Sequence, residues 1–277
     1  MNDLNAMLRR DFLKCGLTAA FIGLTGFTAL TSVTGCGESI NDDAFSDSRS
    51  ANALRAEHWG LVVNTQLLNK SANFNKIADA CHKNHNVPRI NDPKTEVKWI
   101  WEDDFEHCFA GMNSEYLSSA IKKLRFPMLC NHCENPACVR VCPTQATFKR
   151  PDGIVDMDYH RCIGCRFCMS ACPYNARSLN FSDPRTYLDE INPNYPTRAR
   201  GVVEKCNFCV ERLNQGLPPY CVEASQGTIL FGDLKDSRSD VRRALAGSLS
   251  IRRLTELGTG PSVYYLLDDR GEVDFRV

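Results

Sequence analysis

The 277-residue chain carries 33 basic and 33 acidic side chains, with 43% hydrophobic and 24% charged content. That is ordinary globular composition for one or two domains, and a formal charge of zero gives no broad attraction to nucleic acid or to a membrane surface. Fifteen cysteines in a chain of this length, tightly bunched, argue against the disulfide framework of a small secreted domain.

The first feature in chain order is Arg9-Arg10-Asp11-Phe12-Leu13-Lys14, a twin-arginine export motif, followed by an uncharged stretch from Cys15 to Gly37. The stretch is only modestly hydrophobic for a stable membrane span, so the mature protein is expected in the periplasm. Val33-Thr34-Gly35-Cys36 matches a bacterial lipobox, which would put a lipid on Cys36; a small-residue cleavage site with an incidental cysteine fits as well. Glu38 to Glu57 is polar and low in aromatics and reads as a flexible tether.

A strand is expected at His58–Asn64, a short helix at Asn75–Lys83 carrying Cys81, a second strand at Lys98–Glu102 and a helix at Glu115–Leu124. Thr147–Asp156 reads as a hairpin around Pro151-Asp152-Gly153, and Asp183–Arg200, with three prolines, as a surface loop. Ile229–Asp233 should be a strand, Asp236–Gly247 an amphipathic helix and Pro261–Asp268 a Tyr-rich strand. Strand, cysteine loop, helix and strand recur about four times. The expected fold is therefore α+β, with two ferredoxin-like lobes related by a pseudo-two-fold repeat.

Twelve of the fifteen cysteines carry the chemistry. Cys162-x2-Cys165-x2-Cys168-x3-Cys172-Pro173 is the bacterial ferredoxin run, in which the fourth cysteine ligates a second cluster. Cys130-x2-Cys133-x4-Cys138-x3-Cys142-Pro143 is a looser version. One cluster is thus expected on Cys130, Cys133, Cys138 and Cys172, and another on Cys162, Cys165, Cys168 and Cys142. Cys206-x2-Cys209 is followed after eleven residues by Cys221, with Ser225 where the x3 spacing calls for a fourth cysteine, and Cys81 stands alone. Twelve thiolates suffice for three [4Fe–4S] clusters. Zinc would prefer paired C-x2-C knuckles closing a tetrahedral site.

These runs, with Phe231-Gly232-Asp233 and Gly258–Leu266, resemble the four-cluster iron–sulfur subunits of membrane-bound respiratory oxidoreductases, over about residues 59–266. Within that family Ala80–Pro88, Trp99-Ile100-Trp101 and the export signal look most like the DsrO type, the periplasmic iron–sulfur subunits of DsrMKJOP complexes. In the family the first three cysteines of run one share a cluster with the last of run four. Here Leu67–Ala80 has no cysteine, and Ser225-Gln226 stands in place of Cys-Pro. The resemblance therefore implies that one whole cluster is missing and that Cys81 completes the cluster of Cys206, Cys209 and Cys221.

The resulting organisation is 1–37 export signal, 38–57 tether, 58–126 part of the N-terminal lobe with a Trp-rich insert, 127–182 double-cluster domain, 183–235 third-cluster lobe pairing with Cys81, and 236–277 closing helix and strand. His82 and His132 read as packing or hydrogen-bonding groups beside the ligands, Cys15 as part of the export segment and Cys108, beside His107, as a lone thiol. With every cluster corner filled by thiolate, the chain is expected to be an electron-transfer subunit and not a catalyst. The resemblance implies an NrfD-like quinone-reactive membrane subunit, a multihaem cytochrome c and other respiratory subunits as partners, in dissimilatory sulfur metabolism. Service to a molybdenum enzyme such as a polysulfide or tetrathionate reductase is the alternative.

Overall fold

A computed structural model describes residues 50–71 and 73–267. The export motif, the lipobox, Cys15, Cys36 and most of the tether lie outside the described residues. Among the described residues no helix is long and apolar enough to cross a membrane.

The organising strand is β1 (Trp59–Asn64), all six of whose residues are buried. A strand buried on both faces needs cover on both, and alternation divides the work. Trp59, Leu61 and Val63 belong to the main core, whereas Val62 joins Val241, Ala244 and Leu266 in a smaller cluster. Each such aliphatic side chain contributes about 1.5–3 kcal/mol on burial. After β1 come α1 (Thr65–Ser71) and α2 (Phe74–Asn84), then β2 (Ile100–Asp104), α3 (Phe105–Cys108), α4 (Ser119–Lys122) and β3 (Arg125–Leu129). The cysteine-rich centre follows: α5 (Ala137–Arg140), β4 (Thr147–Lys149), β5 (Val155–Met157), α6 (Phe167–Ser170), β6 (Ser178–Leu179), β7 (Val203–Glu204), α7 (Val210–Leu213) and α8 (Tyr220–Ala224). The chain closes with β8 (Ile229–Asp233), α9 (Asp240–Gly247), β9 (Ser250–Ile251) and β10 (Val263–Leu266).

The fold is mixed α/β with small sheets. One four-stranded sheet runs β8-β1-β10-β9, and three two-stranded ribbons pair β2 with β3, β4 with β5 and β6 with β7. β1 is antiparallel to β8, with Leu61 opposite Phe231, and parallel to β10, with Leu61 opposite Val263. The two ends of the described chain thus meet in one sheet, and everything between them is a long excursion that holds the cysteines.

Several expected elements are shifted for local reasons. The strand expected at Lys98–Glu102 begins only at Ile100, because Lys98 N bonds Ser178 Oγ (2.9 Å) and Trp99 turns inward to donate its indole N–H to Glu204 (2.7 Å). The helix expected over Glu115–Leu124 shrinks to Ser119–Lys122, since Ser118 caps it (Ile121 N to Ser118 Oγ, 3.4 Å) and Tyr116 is 88% exposed. α9 starts at Asp240 and not at Asp236 because Ser239 is its N-cap, accepting from Arg242 N.

Candidate metal centres

Three cysteines of one run and one from the next line a cavity: Cys130, Cys133, Cys138 and Cys172. A second cavity is lined by Cys142, Cys162, Cys165 and Cys168. In both, three cysteines come from one run and the fourth from the other. The exchange is built locally. Cys138 sits on α5 and Cys142 just beyond it, while Cys168 sits on α6 and Cys172 just beyond, and α5 and α6 pack together. Each short helix hands its last cysteine to its neighbour's pocket. Gly164, at φ +67°, permits the tight Cys162–Cys165 loop, and a Cβ there would run into the carbonyl of Gly201.

The third group is Cys81, Cys206, Cys209 and Cys221, all buried. α2 packs on α8, which carries Cys81 toward Cys221. Burial pushes the Cys81 and Cys209 thiols well up, and the Cys206 and Cys221 charges push Cys81 further. In the same way burial lifts Cys133 and Cys221 to about 12. Cys142 is the exception: burial raises it, but hydrogen bonds from Thr147, Thr144 and Ala146 leave it net lowered. The raised thiols would stay protonated at neutral pH on their own. They ionise only when a cation takes the proton's place, which is the chemistry of a metal–thiolate donor set.

Orphaned polar atoms point the same way. His132, between Cys130 and Cys133, accepts a hydrogen bond from Val155 N at Nδ1 (3.1 Å), so its proton sits on Nε2. That buried N–H has no partner and fits a sulfur acceptor of a cluster. Burial drives the imidazole's pKa well below its usual value, with Lys205 adding to the effect, so the ring is neutral.

Sequence reasoning missed four residues here. His85 places Nδ1 3.7 Å from Cys81 Sγ and Nε2 2.8 Å from Glu211, and it stacks on Trp99 at 4.7 Å. Arg177 Nη2 lies 3.0 Å from Cys138 Sγ. The ammonium of Lys205, 1% exposed, donates to the carbonyls of Val155 and Cys206. Phe208 lies in the Cys206–Cys209 loop and is 1% exposed. A signal existed only for Phe208, which occupies the position in Cys206-Asn207-Phe208-Cys209 that His132 occupies in Cys130-Asn131-His132-Cys133.

Ser225 does not take part in any of the three groups. Its hydroxyl donates to Val222 O (2.7 Å) and accepts from Ile229 N (3.1 Å), and Asn73 Nδ2 bonds its carbonyl (3.2 Å). Counting x2-x2-x3 back from Cys81 gives Ser71, Phe74 and Ile77. Ile77 is fully buried in the main core and Phe74 packs against it. Ser71 Oγ donates to Leu68 O (3.0 Å). The four positions a further cluster would use are packed and hydrogen-bonded as ordinary protein. Cys108 is a buried thiol 3.1 Å from Met128 Sδ.

Residues 121–185 match the 4Fe-4S dicluster domain. The chain is 44% identical over 196 residues to the Hdr-like menaquinol oxidoreductase iron-sulfur subunit 1 of Archaeoglobus fulgidus, covering 67% of this chain and 70% of that protein. It is 35% identical over 236 residues to the menaquinone reductase iron-sulfur cluster-binding subunit of Nitratidesulfovibrio vulgaris, covering 75% of this chain and 88% of that protein. This chain belongs to that family of [4Fe–4S] electron-transfer subunits. Another relative, at 37% over 147 residues, is the B subunit of the polysulfide reductase of Wolinella succinogenes (52% of this chain, 68% of that protein). Like its relatives, the subunit carries electrons within an oxidoreductase complex and is not the catalytic component.

Proposed function

We propose that this subunit holds three [4Fe–4S] clusters in a row and passes electrons through them between a quinone-reactive membrane subunit of the NrfD type and a multihaem cytochrome c. The observation that carries the reading is the grouping of twelve cysteines into three sets of four, two of them around cavities. Each bound cluster would supply a one-electron couple. The protein's part is to bury the thiolates, fix the distances and exclude water. The set with Cys130 lies between the other two: α5 and α6 join it to the set with Cys162, and the charge of Cys130 reaches Cys206 and helps raise that thiol. The outer set, under Ile163 (67% exposed) and Phe167 (58% exposed), is the end assigned to a partner.

The two lobes are read as a pseudo-two-fold repeat, and the subunit as a DsrO-type component of a DsrMKJOP-like complex in dissimilatory sulfur metabolism. The relatives' attachment to menaquinol and menaquinone chemistry supports this setting, and the polysulfide reductase relative supports the molybdenum-enzyme alternative. Arg9-Arg10 implies export to the periplasm as folded holoprotein. Replacing both arginines by lysine should leave loaded protein in the cytoplasm. Iron and sulfide analysis of native protein tests the central reading: about twelve of each per chain are expected, and about sixteen would overturn it.

A further inference from the structure

Arg177 is 3% exposed and lies between the first two cysteine sets. Its Nη2 donates to Cys138 Sγ at 3.0 Å and to Thr147 Oγ1 at 2.8 Å, and Nη1 approaches Met157 Sδ at 3.9 Å. It lines the cavity of the Cys130 set, whereas Thr147 and Met157 line that of the Cys162 set. Its charge also acts on Cys168 of the second set, holding that thiol down against the rise that burial causes. Among the described residues no carboxylate pairs with it, and the charges acting most strongly on it are those of Cys138, Cys130, Cys168 and Cys172.

An isolated buried guanidinium costs several kcal/mol and is kept where an anion compensates it. Among the described residues, the anionic groups acting most strongly on it are the cysteines of the two cluster sites. A thiolate-bound cubane gains one negative charge on reduction, and its potential responds to nearby charge and to hydrogen bonds on its sulfurs. Arginine stays charged here, so this fixed cation would favour the more negative, reduced form of a bound cluster.

We propose that Arg177 sets the midpoint potentials of the Cys130 and Cys162 clusters together, raising the first more than the second and leaving the Cys81–Cys206 cluster untouched. The inference rests on the cluster pairing proposed above. It is a positioning and tuning role, since the residue ligates no iron.

The test is a redox titration of full-length holoprotein followed by electron paramagnetic resonance, with iron content measured in parallel. Arg177→Met should cut the reduced-to-oxidised ratio of the Cys130 cluster about tenfold at the wild-type midpoint, a shift of about 59 mV for one electron. The Cys162 cluster should shift the same way by less, and the third not at all. Arg177→Lys, which keeps the charge, should recover most of the loss. Should Arg177→Met lose iron, Arg177→Gln removes the charge while keeping an amide donor, and the same direction is expected. Unmoved potentials in a loaded neutral variant, or equal shifts in all three clusters, overturn the proposal. Wild-type iron content and the Cys172→Ala spectrum test the pairing without reference to Arg177, so the two failures are distinguishable.

Discussion

The imidazole of His132 lies flat on the ring of Phe208, with centroids 3.6 Å apart and planes 17° apart. Both residues have positive φ, 40° and 56°, and each is third in a Cys-Asn-x-Cys loop. The stack joins the loop of the Cys130 set to the loop of the Cys206 set, and so fixes the spacing of two candidate redox centres. Phe208→Ala should destabilise the protein by about 3–5 kcal/mol, read as a lower thermal unfolding midpoint. Phe208→Tyr, which keeps the ring, should cost less. An alanine variant as stable as wild type would show that the stack does not hold the two loops together.

Cys172→Ala should disturb the Cys130 cluster first, because that cavity receives Cys172 from the other run. The paramagnetic spectrum of the Cys162 cluster should persist. A spectrum in which only the Cys162 cluster changes counts against crossed ligation.

Cys81→Ser should lower iron by up to about four per chain, or convert one cluster to a three-iron form, while the other two keep their signals. α2 should loosen as well, since on the proposed ligation a cluster would tie Cys81 on α2 to Cys221 on α8. Unchanged iron and spectra would make Cys81 a bystander.

His58 places Nδ1 3.0 Å from Glu134 and Nε2 2.8 Å from Ser262 Oγ. The ion-pair geometry alone suggests a raised pKa, yet burial wins and the value falls below 6.5; Glu134 is half exposed and shared with Lys149. Between that lowered value and 6.5 the unfolded chain binds a proton that the folded chain does not. Stability therefore rises with pH through this window and is lost on acidification. His58→Gln should flatten that part of the curve of unfolding midpoint against pH. An equally steep curve in the variant would assign the slope to other groups.

The cysteine runs were legible because cluster ligation demands both residue type and spacing, and the grouping around each cavity follows the spacing. β8, the β4–β5 hairpin and the closing strand were legible from apolar runs and turn residues. Arg177, Lys205 and His85 were not, because each acts through contacts remote in sequence: Arg177 reaches back to Cys138, and His85 reaches forward to Glu211. The edges of β2 and α4 were missed because Trp99 and Ser118 answer to a tertiary partner and a cap, not to periodicity.

The hydrogen bonds of Ser225 bear on how this subunit can change over generations. Its hydroxyl now joins the end of α8 to the start of β8, and Ile77 fills core nearby in the chain's own helix packing. A cysteine at 225 alone would weaken those bonds, at about 0.5–1.5 kcal/mol each, and the smaller thiol side chain at 77 would give up aliphatic packing. A full [4Fe–4S] ligand set there would need cysteine at Ser71, Phe74, Ile77 and Ser225 together. Replacing Ser225 or Ile77 first thus lowers stability before a full ligand set is present, so the path to a further cluster at these positions begins uphill.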